Sequence, residues 1–486
     1  MRTSVFLAAA KTALARHPTR SAVGLLALLF GAYLYTNSYD TIYYDAQGYW
    51  DLANQFWGLG HFEFLAFDSI LRGYLFPLIL SPLTLLTAYL GWAPLDLTRA
   101  VGVVTAAFLF GSVGPGIWRA LRAPGAPVVP LGRRLVFGLL GLALWRGYFN
   151  FSLTDFPALL ALLGGLWALL RGRSVGSGLV AGLALAAAAN FRPVYAAALP
   201  LAACLCLWPR PATGPLARSR AAEWGRRLAF VVGIGLVLYP QFVLNKAHYG
   251  VSSPLVLTAK PEERNLYLGQ LRGGFISQKY ETNVGSDYPQ PQMFFTDKAG
   301  EELLGEPEFR NFDSIPSYLA GVAAHPLDVL ALLGRHLFNG LDLQYPTPYP
   351  QEIFVSTWPL AWLNYTVLII GAGVLVWLGW RRPTPAYVRV LIVLATMLGP
   401  CAVSLPVVME CRFLMPLHLV LCATAAFAFQ PRRLWRTASP IVRTVGLSLY
   451  ALLVVGCFAV SMDHQLQLAI KPRVLFDWQG PAPEPW

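Results

Sequence analysis

Apolar runs close to the length that crosses a bilayer recur along this chain, at residues 21–38, 97–118, 228–244, 358–380 and 444–462. About 20 consecutive apolar residues are needed for one helical crossing. Of the 486 residues, 56% are hydrophobic and 13% are charged, whereas a soluble domain carries about 25% charged residues. The sequence therefore predicts an all-α polytopic membrane protein. The first run lacks an A-x-A-like cleavage site, which favours an uncleaved anchor over a signal peptide.

The formal net charge of +12 is unevenly distributed along the chain. Six short basic stretches hold 22 of the 37 Lys and Arg but only one acid, Glu223. These stretches are residues 1–20, 119–134, 171–173, 210–227, 381–389 and 432–443. Basic loops on one side of a bilayer mark the cytoplasmic side. The charge thus indicates orientation, and nucleic acid is not an expected partner.

Placing all six basic stretches inside requires 11 transmembrane helices. Their predicted ranges are 21–38, 97–118, 135–149, 156–170, 175–189, 194–208, 228–246, 357–380, 391–408, 413–429 and 445–462. The segment 74–92, interrupted by Pro77 and Pro82, is then a re-entrant or surface helix on the outer side. The alternative is that segment 74–92 crosses the membrane and that a neighbouring apolar run was wrongly counted as a crossing.

This topology divides the chain into four parts. Residues 1–247 form an N-terminal membrane module with a first outer loop at 39–73, and residues 248–356 form an extracytoplasmic lid of mixed polarity. Residues 357–462 form the C-terminal membrane helices, and 463–486 an outer-face tail. A connection of roughly 110 residues is too long for a simple linker, so we expect the lid to fold as a subdomain.

The first outer loop contains the stretch "TIYYDAQGYWDLANQFWGLGHFEF" at residues 41–64. In a helix over 44–56, Asp45 shares a face with Tyr49 and Leu52, while Asp51 points elsewhere. Asp45 is therefore the candidate general base, held near the bilayer. The alternative is a structural role, because an acid near a first helical turn is favoured by the helix dipole.

Two more charged residues fall at predicted outer helix ends. Asp155 precedes Pro157 by two residues, as expected of an N-cap, and a second role in positioning an acceptor or a cation is possible. Arg192 lies between two helices and needs an anionic partner, either a carboxylate of this chain or a lipid phosphate. Arg146, nearby, is expected to be structural.

The remaining candidates are Arg72, Lys246, Glu410 and Arg412, together with Tyr49 as a sugar- or lipid-holding ring. Glu410 and Arg412 are two residues apart, so on a helix they would need different partners. His418, alone on an apolar face, is expected to be a satisfied core histidine. The six cysteines form no zinc motif and are expected to be small core residues.

Several motifs together resemble the GT-C superfamily of glycosyltransferases, in particular the protein-mannosyltransferase and aminoarabinose-transferase group. They are "YYDAQGYWDLA", "RGYLFPLILSPL", "SLTDFPALLALL", "ANFRPVYAAALPL" and "ECRFLMPLHL", beginning at residues 43, 72, 152, 189 and 410. The chain departs from that pattern at Ala46, where a second acid is common, and at Arg72–Tyr74, which reads "RGY" and not "RPP".

This resemblance implies an inverting transferase that uses a polyprenyl-phosphate sugar, with Asp45 and Asp155 matching the first- and second-loop acids. A divalent cation, Mg²⁺ or Mn²⁺, is a possible cofactor. The implied partners are a lipid-linked donor, a glycan, lipid or protein acceptor, and the bilayer, with the site facing outward from a bacterial cytoplasmic membrane. The alternatives are a transporter or flippase of a lipid-linked saccharide, and an O-antigen-ligase-type transferase. A transporter should have charged residues along a path through the bilayer centre. Here the charged residues lie at the outer helix ends and few lie at helix centres, which favours an enzyme.

Overall fold

The computed structural model describes residues 16–58, 60–122, 125–172, 174–208, 220–259, 265–288, 291–379 and 385–469. Parts of the predicted basic stretches, at residues 1–15, 210–219 and 381–384, and the tail beyond residue 469 lie outside the described residues. The chain forms two compact units: Met1–Leu257 with Gly379–Pro400, and Thr258–Leu378 with Cys401–Trp486.

The regular secondary structure in the described part of the first unit is helical. Its helices are α1 (Pro18–Leu34), α2 (Tyr44–Gln55), α3 (Leu75–Leu90), α4 (Pro94–Phe108), α5 (Gly114–Ala120), α6 (Leu131–Trp145), α7 (Asp155–Arg171), α8 (Val175–Phe191), α9 (Ala198–Leu207) and α10 (Arg220–Tyr249). A π-helical turn at Leu109–Val113 joins α4 to α5, and 3₁₀ turns lie at Phe64–Ala66, Arg146–Asn150 and Pro193–Ala197.

Helix α8 packs closely against α10 through glycines. A Cβ on Gly182 would lie 2.1 Å from the Phe230 carbonyl oxygen, and one on Gly233 would lie 2.5 Å from that of Leu179. Small residues allow such close backbone approach between apolar helices. Helices α8 and α10 are therefore held close together along their lengths.

The second unit combines helices with a small sheet. Its helices are α11 (Leu266–Ile276), α12 (Lys298–Gly305), α13 (Pro307–Arg310), α14 (Ile315–Ala324), α15 (Pro326–Leu341), α16 (Trp358–Gly379, whose last residue falls in the first unit), α18 (Met415–Phe427), α19 (Pro431–Thr437) and α20 (Pro440–Leu466). Helix α17 (Pro385–Ser404) runs from the first unit into the second. The antiparallel strands are β1 (Ser277–Thr282), β2 (Gln292–Thr296) and β3 (Leu468–Ala469), in the order β1-β2-β3 with Tyr280 opposite Phe294.

The apolar helices indicate a membrane-embedded, multi-pass protein. Among the described residues, five helical segments are long and apolar enough to cross: Pro94–Ala120, Arg220–Tyr249, Trp358–Gly379, Tyr387–Ser404 and Pro440–Leu466. Two bent pairs, Ile315–Ala324 with Pro326–Leu341 and Cys411–Phe427 with Pro431–Thr437, would raise the number to seven.

The predicted count of 11 crossings is therefore unconfirmed. Shorter apolar helices among the described residues lie at Pro18–Leu34, Leu75–Leu90, Val175–Phe191 and Pro193–Leu207. At 1.5 Å per residue, a 17-residue helix such as α8 is about 26 Å long, which is below the ~30 Å of a bilayer core. Helix α3, predicted to be re-entrant or surface-lying, has 16 residues and ends at Gly91 in the left-handed region.

The core position predicted for His418 is confirmed, whereas the core position predicted for the cysteines is wrong for one of them. His418 is buried, and its Nε2 lies 2.8 Å from the Asn364 Oδ1, so the predicted core role is confirmed. All six cysteines are free; Cys204 is exposed and Cys457 is partly exposed, so the expectation of a core position is wrong for Cys204.

Candidate functional site

Asp45 lies in the first turn of α2, as the sequence predicts, and forms an ion pair with Arg72. The Asp45 Oδ1 accepts a hydrogen bond from the Arg72 Nη2 at 2.8 Å. The Asp45 side chain is 38% exposed and that of Arg72 is 28% exposed. The carboxylate is therefore oriented by a guanidinium while remaining accessible to a second molecule.

Tyr49 supports this pair from one helical turn along α2. The Arg72 guanidinium carbon lies 4.5 Å from the Tyr49 ring centroid, a cation–π distance. Burial alone lowers the pKa of Arg72, but the neighbouring Tyr49 and Asp45 raise the pKa above its ordinary value. Arg72 is therefore a fixed cation at every physiological pH.

Small residues and amide side chains hold the backbone of Arg72 in place. A Cβ added to Gly73 would lie 2.0 Å from the Asn190 carbonyl oxygen. The next residue but one, Leu75, donates its N–H to the Asn190 Oδ1 at 2.9 Å, and Asn190 donates to the Gln241 Oε1 at 3.0 Å. The first outer loop is thereby attached to α8 and α10 directly beside Arg72.

Asp155 forms a buried ion pair with Arg192, through its Oδ1 and the Arg192 Nη1. The side chain of Asp155 is 2% exposed and that of Arg192 is 14% exposed. A carboxylate of this chain was one of the two partners predicted for Arg192. The predicted N-cap role of Asp155 is wrong by one residue: Thr154 occupies that position and Asp155 begins the helix.

The Asp45 and Asp155 segments lie side by side in the first unit. The Ser152 hydroxyl donates to the Ala46 carbonyl at 2.9 Å, and the Tyr49 hydroxyl lies 3.3 Å from the Thr154 hydroxyl. Asp155 also lines a cavity of about 20 Å³, enough for about one water molecule. The structure thus brings Asp45, Tyr49, Arg72, Asp155 and Arg192 into one region.

Arg99 is a structural residue of this region that the sequence analysis missed. It is buried in α4, and its Nη2 donates to the Asn37 Oδ1 at 2.9 Å and to the Tyr39 carbonyl at 2.8 Å. A charged residue inside the apolar run 97–118 was the available signal. Arg99 fixes the start of the first outer loop.

Two other predicted residues of the first unit are exposed. Lys246 lies near the end of α10 with an exposed side chain. Asp51 is exposed and accepts a hydrogen bond from the Gln47 Nε2 at 2.7 Å. Asp51 therefore faces solvent.

Arg146 donates a hydrogen bond to the Ala143 carbonyl at 2.8 Å, in line with the structural role predicted for it.

In the second unit, Glu410 and Arg412 bind each other, so the expectation of separate partners is wrong. The Arg412 Nε lies 2.6 Å from the Glu410 Oε2, and its Nη2 lies 3.0 Å from the Oε1. Glu410 is extended and precedes the 3₁₀ turn Cys411–Leu414. The α-helical geometry assumed for this pair does not apply, because the backbone at Glu410 is extended.

A buried polar cluster next to Cys411 was also missed. The Lys279 Nζ lies 2.8 Å from the Asp342 carbonyl oxygen and 3.4 Å from the Glu281 Oε1. Burial raises the pKa of Glu281, while Lys279 opposes that shift. The alternation of Ser277–Thr282 in a mostly polar strand gave no sign that Lys279 and Glu281 would both be buried.

One group of side chains among the described residues has metal-ligand geometry. Glu306, Glu308 and His325 place ligand atoms within 4.8 Å of one another, with both glutamates exposed. The group belongs to the second unit and includes neither Asp45 nor Asp155. A divalent cation at Asp155 stays a prediction.

No protein-family model, no curated protein and no solved structure matches the chain. The functional argument therefore rests on the residues and their geometry.

Proposed function

We propose that this protein is an integral membrane glycosyltransferase. It moves a sugar from a polyprenyl-phosphate donor to an acceptor hydroxyl on the extracytoplasmic face, with inversion at the anomeric carbon. The observation that supports this most is the Asp45–Arg72 pair, which offers an accessible carboxylate and a fixed guanidinium at one place. These are the two charges that the reaction needs.

The reaction is a single displacement. An Asp45 carboxylate oxygen takes the proton of the acceptor hydroxyl as that oxygen bonds to the anomeric carbon. The bond between this carbon and the donor phosphate oxygen breaks, and polyprenyl phosphate leaves. Arg72 stabilises the negative charge on the departing oxygen, because guanidinium groups bind phosphate through paired N–H donors.

The other residues of the region have supporting roles. Tyr49 holds the Arg72 guanidinium by a cation–π contact, and Arg192 and Asp155 fix the neighbouring loop through their ion pair. The exposed ammonium of Lys246 is accessible to a donor phosphate. Asp155 positions the acceptor or a divalent ion.

The cellular setting follows from the charge distribution. Basic loops on the cytoplasmic side favour a periplasmic or outer position for the first outer loop, and hence for Asp45, in a bacterial cytoplasmic membrane. The partners are the lipid-linked sugar, a glycan, lipid or protein acceptor, and the bilayer.

The purified protein in detergent, given radiolabelled polyprenyl-phosphate sugars and a membrane extract as acceptor, tests this proposal. We expect label to move from the lipid donor to a larger or water-soluble product. If label instead crosses the bilayer of proteoliposomes while remaining on intact donor, the protein is a transporter and the proposal fails.

A further inference from the structure

A groove of about 560 Å³ lies along one outward side of α7 in the first unit. One face of that helix forms its floor, with the residues Leu160, Ala161, Gly164, Trp167, Ala168 and Arg171. Phe108 and Val180, both exposed, form parts of its walls. The groove is open because four of its lining residues are alanine or glycine: Ala161, Gly164 and Ala168 of α7, and Ala184 of α8.

The groove is apolar along its length and cationic at one end. Arg171, the last residue of α7, is the charged member of its lining, and its side chain is exposed. The Arg171 guanidinium carbon lies 5.6 Å from the Trp167 ring centroid, a cation–π distance that keeps the charge at the mouth of the groove.

We propose that this groove binds one anionic glycerophospholipid, with an acyl chain along α7 and the phosphate on Arg171. The argument is charge complementarity: an apolar channel that ends in a guanidinium matches an apolar chain that ends in a phosphate. A groove on the outside of apolar helices is filled by lipid in a membrane, and the cation selects the headgroup.

The position of Arg171 separates this site from the proposed transfer site. Arg171 and Asp155 are the two ends of α7, 16 residues apart, or about 24 Å along the helix axis at 1.5 Å per residue. Arg171 belongs to a basic stretch predicted to be cytoplasmic, where anionic lipids attract cations. The ligand is therefore a lipid of the inner leaflet, and the proposal does not depend on glycosyl transfer.

Gly164 offers a direct way to block the groove. A Cβ added there meets no atom within 4 Å, so Gly164→Leu places its side chain in the open groove without displacing a neighbour. Gly235 of α10 is also outward-facing with open space around it. Gly235→Leu is therefore a matched control for the same change on a different helix.

The test compares phosphatidylglycerol with phosphatidylcholine on the delipidated full-length protein, by native mass spectrometry and by thermal unfolding. We expect the wild type and Gly235→Leu to retain one phosphatidylglycerol in preference to phosphatidylcholine. Both proteins should melt at a higher temperature with phosphatidylglycerol than with phosphatidylcholine. Gly164→Leu should lose both lipids. Arg171→Gln should keep lipid binding but lose the preference, by about tenfold for one charge-assisted contact of about 1.4 kcal/mol.

Three results would overturn the inference. One is undiminished lipid binding by Gly164→Leu, and another is an unchanged headgroup preference in Arg171→Gln. The third is equal stabilisation by glycerol 3-phosphate, which has no acyl chain and would show that Arg171 binds a free phosphate without the groove.

Discussion

Replacing Arg192 by Gln should destabilise the protein strongly. The change removes the cation that faces Asp155, whose side chain is 2% exposed. Truncating one member of a buried pair leaves an uncompensated charge and costs about 3–5 kcal/mol. Arg192 is itself 14% exposed, so solvent screens little of this interaction.

A double-mutant cycle isolates the pair from other effects. In Asp155→Asn the carboxylate charge is removed, so adding Arg192→Gln to that variant should cost much less than it does alone. We expect a coupling free energy of about 2–3 kcal/mol, at the upper end of the range for groups in direct contact.

Unfolding in mixed micelles with increasing sodium dodecyl sulfate measures the free energy of unfolding of the wild type, the two single variants and the double variant. Arg20→Gln, at an exposed position in the first turn of α1, is the control for loss of a surface arginine. If Arg192→Gln unfolds at the same point as Arg20→Gln, the ion pair contributes nothing. Arg192 would then be available to bind donor phosphate, as the alternative from the sequence proposes.

Two further substitutions test the close packing at Gly73 and the buried ion pair of Lys279. Gly73→Ala should destabilise the protein by about 1–3 kcal/mol and weaken donor binding, because its Cβ would lie 2.0 Å from the Asn190 carbonyl; unchanged stability and donor affinity would contradict this. Lys279→Met should cost about 3–5 kcal/mol by leaving Glu281 buried without its cation, whereas Lys279→Met with Glu281→Leu should recover most of that loss. Chemical denaturation of Lys279→Met and of the double variant measures their free energies of unfolding. Equal values for the single and double variants would refute this prediction.

The local features of the first outer loop were predictable from the sequence because they depend on short-range periodicity. The sequence analysis assumed a helix over 44–56, and the structure has one at Tyr44–Gln55. The helical period of that segment separated Asp45 from Asp51, which is exposed in the structure. The partner of Asp45 could not be derived in this way, since Arg72 lies 27 residues further along and is brought near by Asn190 and Gln241.

Long-range and irregular features were harder to predict. Hydropathy found the apolar segments but not their exact helix boundaries, because helix ends depend on turns and packing: the run 21–38 forms a helix at Pro18–Leu34. The pairing of Glu410 with Arg412 needed the extended backbone at Glu410, which residue spacing does not reveal. The burial of Lys279 arises from contacts with Asp342, 63 residues away.

The central claim is that Asp45 takes the proton of the acceptor, and a comparison of Asp45→Asn with Asp51→Asn tests it most directly. Both remove one carboxylate from α2, and Asp51 is the exposed control. With saturating polyprenyl-phosphate sugar, initial transfer rates should fall about 10²–10⁴-fold in Asp45→Asn, the typical contribution of a general base. Asp51→Asn should transfer at the wild-type rate. Equal rates for wild type and Asp45→Asn, at equal thermal stability, would contradict the claim.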